Sequence, residues 1–289
     1  MSLHLRQALA PVLLSAAITS TAFAQDPPKP RNSDIDNIGT RDINRGNLNF
    51  ITIEKEIAMG RQLASEVERQ LKLVDNPAIN EYVNRIGQNI VLNSDAKVPV
   101  TIKVVNSPEL NSVSLPGGFI YVNTGAILAA GNEAELAFVI AEGVAHVAAR
   151  HGAEQASRAQ LINFASIPSI FTGGAGGFAL RQASNMIYPA QFLQFMRKDV
   201  SEADYLGVQY LYKAGYDPHA AVHFLEELQA REPLENRASL FSTHPATADR
   251  ITATQRNIDL ILPPRPLSVT TTAEFESIKA QVAQLPGPH

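Results

Sequence analysis

Residues 132–152, NEAELAFVIAEGVAHVAARHG, form the most strongly patterned stretch of the chain. Asn132 suits the N-cap of a helix, and two acidic residues follow in the first turn, where the helix dipole favours negative charge. A basic pair precedes Gly152, which suits the position just after a helix. The pattern therefore predicts one buried helix over 132–152.

Two side chains of that predicted helix are candidates for metal binding. Glu142 and His146 are four residues apart, so they share a face and can point at one object. Gly143 lies between them, although glycine inside a helix costs about 1 kcal/mol relative to alanine. The alternative is a helical pair with no metal, in which neighbouring acids favour protonated His146.

Composition limits the classes of protein that the chain can belong to. With 45% hydrophobic and 18% charged residues, the 289-residue chain has a globular balance and room for one large or two small domains. The net charge of −4 provides no basic surface for nucleic acid, so we expect no nucleic-acid partner. There is no cysteine, which excludes disulfides, thiolate metal sites and cysteine nucleophiles.

The N-terminal residues 1–24 have the pattern of a secretory signal. A positively charged start, an apolar run over 9–18 and a small-x-small site ending at Ala24 precede Gln25. The apolar run is too short to span a membrane and contains Pro11. We therefore expect a secreted protein of the bacterial periplasm, with an uncleaved anchor as the alternative.

The segments that follow have simple patterns. Residues 25–50 carry three prolines and few large apolar groups, which predicts a flexible lead-in. Helical periodicity begins at residue 57, and Asn76-Pro77 predicts the start of a second helix. Alternation of β-branched residues predicts a strand over 98–105, and a turn at Pro116-Gly117-Gly118 precedes a second strand. The apolar face of the second helix is predicted to contain Ile79, Tyr82, Val83, Ile86 and Ile90.

The region 155–197 allows two interpretations. Its glycines at 173–177 are not followed by Lys-Ser/Thr, which excludes a phosphate loop. The apolar residues of 161–195 fit either a hairpin packed on the core or a mobile lid that touches substrate or the membrane periphery. A helix predicted over 199–214 comes next and carries the acid pair Glu202 and Asp204.

Four stretches of the chain resemble metallopeptidase family forty-eight, the CAAX-prenyl-protease and HtpX-like zinc endopeptidases. They are AEGVAHVAARHG at 141–152, the Pro116-Gly117-Gly118 hairpin, SEADYLG at 201–207 and STHP at 242–245. The resemblance spans about 51–260, most of the chain. It implies an α+β, mainly helical fold: a gluzincin-type metallopeptidase core with a small β-sheet beside the active-site helix. A metallopeptidase-like domain over 51–260 would then be followed by a Pro-rich C-terminal tail over 261–289.

The resemblance also implies zinc as the cofactor and roles for individual residues. Where the family has A-H-E-x-x-H, this chain has Glu142 in place of the first histidine and Gly143 in place of the catalytic glutamate. The implied metal ligands are Glu142, His146 and Glu202, with Asp204 behind them and His244 facing the cleft as a transition-state residue or fourth ligand. The hairpin implies a substrate-binding set of Asn111, Pro116, Gly117 and Gly118.

The altered motif predicts damaged chemistry. A zinc peptidase needs three protein ligands, an open position for water and a base that takes the water's proton. The base lies about 100° around the helix from the first ligand, and Gly143 provides no side chain there. Loss of a general base typically removes about 10²- to 10⁴-fold in rate. A shell richer in oxygen also favours harder ions such as manganese, so we expect weaker and less selective metal binding.

Three functional hypotheses follow. In the first, the protein is a catalytically impaired pseudopeptidase that acts as an adaptor in envelope protein quality control and binds unfolded or misfolded envelope polypeptides. In the second, it is an active metalloendopeptidase with an atypical centre of Glu142, His146 and Glu202. In the third, it binds metal without any peptide chemistry.

Overall fold

A computed structural model of the chain describes residues 32–161, 190–231 and 244–287. The predicted signal, 1–24, lies outside these residues, as does most of the segment for which we considered a hairpin or a lid. The proposed membrane contact through 161–195 therefore also falls largely outside the described chain. No helix within the described residues is both long and apolar enough to cross a bilayer.

The described residues form a mainly helical fold with one small sheet, as the resemblance implies. Before and around the sheet lie α1 (Ile53–Gln70), α2 (Pro77–Leu92), α3 (Thr124–Ala129), α4 (Glu133–Ala148) and α5 (His151–Leu161). The strands are β1 (Thr101–Val105), β2 (Ser112–Leu115) and β3 (Phe119–Asn123). The later helices are α6 (Ala190–Lys213), α7 (His219–Arg231), α8 (Thr247–Ile261) and α9 (Ala273–Ala283).

The sheet has the strand order β1-β3-β2. β1 is parallel to β3, whereas β2 is antiparallel to β3 across the tight turn at Gly117 and Gly118. Both glycines have positive φ angles, of 74° and 94°, which glycine adopts without strain. Because β2 lies at the edge of the sheet, one side of it has no strand partner among the described residues.

Local sequence signals account well for α2. The side chain of Asn76 accepts hydrogen bonds from the amides of Ala78 and Ile79, and Pro77 occupies the first turn. The five apolar side chains predicted for its inner face are all buried: Ile79, Tyr82, Val83, Ile86 and Ile90. The cap, the proline and the apolar face of this helix are confirmed.

The central helix α4 is buried on nearly every side. Apart from Glu142 and His146, every residue of α4 is buried. Asn132 caps it by accepting a hydrogen bond from the amide of Glu135, as its sequence position predicts. The core thus surrounds α4 and leaves open only the face on which the two candidate ligands lie.

The end of α4 differs from the prediction of one helix over 132–152. The helix stops at Ala148, and Arg150 adopts a left-handed conformation with φ of 58°. The Arg150 guanidinium donates to the carboxylate of Glu56 and to the carbonyl of Ile51, both in or next to α1. These distant contacts offset the roughly 1–2 kcal/mol cost of the left-handed residue. Gly152 consequently lies inside α5 and does not end α4.

The predicted flexible lead-in also differs from the structure, over residues 32–50. Ile43 is buried in the main core, and Arg41 is only 8% exposed. Arg41 forms two hydrogen bonds to the Asp95 carboxylate and a third to the side chain of Gln209. Composition did not reveal this docking, because the partners of Arg41 come from distant parts of the chain.

A further difference lies in the predicted tail over 261–289. Helix α9 begins at a Thr272 cap and buries Phe275, Ile278 and Val282 in the main core. The spacing of three and four residues between these side chains is that of an amphipathic helix. The C-terminal stretch is therefore part of the folded unit and contributes to its core.

This packing predicts the effect of truncating one side chain of α9. The change Phe275→Ala should lower the free energy of unfolding by about 3–5 kcal/mol, because it leaves a cavity in the core. The matched change Leu267→Ala, at a side chain 85% exposed, should stay within about 0.5 kcal/mol. Urea unfolding of both variants provides the measurement, and equal small losses would contradict the docking of α9.

Candidate active-site cleft

A close helix crossing brings the candidate site residues together. At Gly207 of α6, an added Cβ atom would lie 3.2–3.3 Å from backbone atoms of Ala141 and Glu142 in α4. Only glycine allows the two backbones to approach this closely without displacement. The crossing places Glu202 and Asp204, on the preceding turns of α6, beside the exposed face of α4.

That face borders a cleft with two compartments. The larger, of about 380 Å³, lies between α7, the start of α8 and the loop before β2. The smaller runs along the edge strand β2 to the start of α5. Four residues line both compartments: Asn111, Ser112, His146 and His244. His146 and His244 therefore lie where the two compartments meet.

Glu142 is bound to an arginine on the wall of the larger compartment. Its Oε1 accepts a hydrogen bond from Nη2 of Arg250 at 2.8 Å. Arg250 also donates from Nε and Nη2 to the two carboxylate oxygens of Asp204, at 2.8 and 2.7 Å. The Arg250 side chain is only 5% exposed. One buried cation thus joins two carboxylates from different helices.

Electrostatics make Glu142 an unusual carboxyl group. Partial burial of its side chain raises the pKa of Glu142 to about 7; the charge of Arg250 opposes this shift and that of Asp204 adds to it. Near neutral pH the group is therefore present in both protonated and ionised forms.

His146 has a different set of neighbours. Its Nδ1 lies 2.9 Å from Nδ1 of His151, and the two rings meet edge to face with centroids 4.9 Å apart. Nε2 of His151 lies 3.4 Å from one carboxylate oxygen of Glu202, and Nδ2 of Asn32 donates to the other at 3.2 Å. A chain of polar contacts thus runs from His146 through His151 to Glu202.

The environment keeps His146 neutral. Burial, followed by the neighbouring charges of His151, His244 and Arg250, holds the pKa of His146 well below its usual value. This is the opposite of the protonated His146 that we expected for a helical pair without metal. The difference arises mainly because the His146 ring is desolvated, and the positive charges of His151, His244 and Arg250 add to that effect in this order.

Gly143, at the position of the catalytic glutamate, lies against the sheet. An added Cβ atom would lie 3.1 Å from the hydroxyl oxygens of Ser112 and Ser114 and 3.2 Å from a methyl group of Ile120. Ser114 donates to the carbonyl oxygen of Gly143, and Ser112 donates to that of Val139. Strand β2 therefore packs tightly on α4 at the point where the family has its base.

The structure joins the predicted metal ligands to other partners. Glu142 contacts Arg250, whereas His146 and Glu202 are linked through His151. Within the three described ranges, no three His, Asp, Glu or Cys side chains form a group able to hold a metal ion. The donor set in this arrangement does not fit a zinc centre, and the metal role of Glu142, His146 and Glu202 remains a prediction.

The residues predicted to bind substrate fall into two pairs. Asn111 and Pro116 line the smaller compartment. Gly117 and Gly118 are buried, and their backbone groups bond to the Glu56 side chain and the Thr101 amide. The contribution of the glycines is to shape the hairpin that presents the edge strand β2.

Three residues that contact the predicted ligands were not predicted from the sequence: Asn32, His151 and Arg250. His151 was assigned to the end of a straight helix, where it would point away from His146; the break at Arg150 turns it back. Asn32 lay in the predicted lead-in. Arg250 lies six residues after His244, shortly beyond the STHP motif at 242–245. A cation could have been expected from the sequence, because two acids predicted in one cleft require a compensating positive charge.

The raised pKa predicts how stability depends on pH. Between the usual glutamate value of 4.5 and about 7, folded Glu142 binds more protons than the unfolded chain, so its contribution to stability falls as pH rises. The variant Glu142→Gln lacks this titration but keeps an oxygen that can accept from Arg250. Urea unfolding from pH 5 to pH 8 should show the variant gaining stability relative to the native protein. A difference that is constant, or that shrinks with pH, would contradict the raised pKa.

Comparison with known proteins gives a consistent family. A family model described as Peptidase family M48 matches residues 77–258. The beta-barrel assembly-enhancing protease of Escherichia coli K12 is 26% identical over 244 residues, which cover 80% of this chain and 49% of the relative. The putative beta-barrel assembly-enhancing protease of Vibrio cholerae is 29% identical over 211 residues, or 70% of this chain and 44% of the relative.

A eukaryotic protein is also similar in sequence. The mitochondrial metalloendopeptidase OMA1 of Schizosaccharomyces pombe is 30% identical over 216 residues, which cover 72% of this chain and 62% of the relative. The chain spans about half the length of the bacterial relatives that it matches. The family match covers well over half of the chain and includes α4, α6 and most of α8, the helices that build the cleft. The chain belongs to peptidase family M48.

Proposed function

We propose that this protein is an exported, catalytically impaired member of the family that binds unfolded or misfolded envelope polypeptides in its cleft. The observation that carries the impairment is the environment of Gly143. The position has no side chain, and the space beside it is occupied by Ser112, Ser114 and Ile120. Without a group that takes a proton from the attacking water, hydrolysis loses about 10²- to 10⁴-fold in rate.

Glu142 does not replace the missing base. It lies one residue earlier on α4, about 100° around the helix from Gly143, and Arg250 binds one of its oxygens. A base must reach the proton that it removes, so the position of the carboxyl group matters before its pKa does. The raised pKa of Glu142 therefore does not restore the lost role.

Polypeptide binding is supported by the edge strand β2. One side of β2 pairs with β3, and residues 111–116 line the smaller compartment of the cleft. An extended peptide can add to such an edge through main-chain hydrogen bonds, with its side chains entering adjacent pockets. The larger compartment offers such a pocket, with the apolar side chains of Leu110, Phe224 and Leu228 on its walls.

The names of the relatives agree with a polypeptide ligand. Two are beta-barrel assembly-enhancing proteases and one is a metalloendopeptidase. Those names describe the relatives, and their activities belong to chains that extend beyond the matched part. Export of the present chain is proposed from the signal pattern of residues 1–24.

The test combines binding and cleavage in one preparation. Residues 25–289 are purified and mixed with fluorescein-labelled casein, an unfolded protein; anisotropy reports binding and gel electrophoresis reports cleavage, each with and without EDTA. We expect binding without cleavage. The variant Leu228→Lys should weaken binding about tenfold because it replaces an apolar side chain on the wall of the larger compartment by a charged one. The control His223→Lys adds the same charge to an exposed position of α7.

Each contrary result points to one of the other hypotheses. Cleavage that EDTA abolishes would contradict the impairment and favour an active metalloendopeptidase with an atypical centre. Absence of binding to casein would contradict the adaptor. Equal loss of affinity in both lysine variants would contradict the placement of the peptide in this cleft.

A further inference from the structure

The cleft depends on contacts among three helices. In the zinc peptidases that the motifs resemble, a metal ion would join α4, which carries two ligands, to α6, which carries the third. In this chain the described donors are engaged with protein partners, and they do not form a group able to hold a metal ion. Besides their packing at Gly207, these helices are joined at the cleft by hydrogen bonds that involve no ion.

Arg250 has the contacts that such a connection requires. It lies in the first turn of α8, binds Asp204 of α6 through two hydrogen bonds, and binds Glu142 of α4 through a third. All three bonds are 2.7–2.8 Å long, which is the range of charge-assisted pairs. The guanidinium is planar and carries its donors in a fixed fork, so it can hold two carboxylates in a defined relative position.

The position of Arg250 also affects the wall of the cleft. The helix α8 begins at Thr247, directly after His244 and Pro245, and all three of these residues line the larger compartment. An arginine that fixes the first turn of α8 against α4 and α6 therefore fixes this wall. Removal of the guanidinium would leave two carboxylates facing each other in a largely buried position, where their repulsion would separate the helices.

We propose that Arg250, through Glu142 and Asp204, links the three helices in place of a metal ion, so that the cleft keeps its shape without one. The substitution at position 142 then has a structural use, because a carboxylate can accept from Arg250. The proposal also implies that peptide binding is independent of metal, and this part rests on the proposed function. The stability of the protein without a peptide does not depend on the proposed function, so it provides the direct test of the link.

The experiment measures thermal unfolding of residues 25–289 under three conditions: as purified, with 1 mM EDTA, and with 100 µM zinc chloride. We expect one melting temperature in all three conditions and substoichiometric zinc by mass spectrometry. The variant Arg250→Met should melt about 10 °C lower, because it leaves buried carboxylates without their cation. The control Arg256→Met changes an exposed arginine of the same helix and should leave the melting temperature unchanged.

Two results would overturn the proposal. One is a lower melting temperature of the native protein in EDTA or a higher one in zinc, since a ligand that binds the folded state stabilises it by mass action. The other is equal melting of Arg250→Met and Arg256→Met. If Arg250→Met does not fold, Arg250→Lys replaces it; lysine keeps the charge but loses the fork, so we expect a smaller fall. No fall with lysine would contradict the bidentate link.

Casein binding separates this proposal from the proposed function. Binding that requires added zinc would overturn the metal-independent cleft and leave the adaptor role in place. Absence of binding under every condition would contradict the adaptor, while the melting data would still decide on the link through Arg250.

Discussion

The guanidinium of Arg250, held between the carboxylates of Asp204 and Glu142, is the interaction on which the cleft depends. It is almost fully buried, so its positive charge needs partners within hydrogen-bonding distance. The partners come from α4 and α6, which cross so closely that a Cβ atom at Gly207 would lie 3.2–3.3 Å from the backbone of α4. The close packing of α4 and α6 therefore brings the two carboxylates together, and Arg250 supplies the positive charge that they need there.

The chain combines an intact family architecture with an altered centre. The buried helix α4, the glycine at the crossing and the hairpin that presents β2 are all present. At two adjacent positions of α4, where the resemblance implies a histidine and a glutamate, this chain has Glu142 and Gly143. Side chains of strand β2 occupy the space beside Gly143, and Arg250 binds the carboxylate of Glu142. Both positions are thus in contact with other parts of the chain.

Sequence alone predicted the parts of this structure that local signals determine. The cap and apolar face of α2 depend on residues within one helix, and both were confirmed. The shared face of Glu142 and His146 follows from helical spacing, and these are the two residues of α4 that are not buried. Family motifs placed α6 and His244 beside the cleft.

The remaining features depend on distant partners. The break after α4 is stabilised by Arg150 and Glu56, which are 94 residues apart in sequence. Glu142 and Arg250 are 108 residues apart, and no periodicity in either helix indicates that they meet. Helix α9 was missed for another reason: the prolines around it suggested a tail, although Phe275, Ile278 and Val282 have helical spacing.

In the proposed link, Glu142 is bound to Arg250 and is not available as a metal ligand. Diffraction at the zinc absorption edge, from crystals grown in zinc chloride, distinguishes the two partners of Glu142. We expect no anomalous peak among Glu142, His146 and Glu202, and a Glu142 oxygen within hydrogen-bonding distance of Arg250. A fully occupied zinc ion bound by Glu142, with Arg250 displaced from it, would overturn the proposed link.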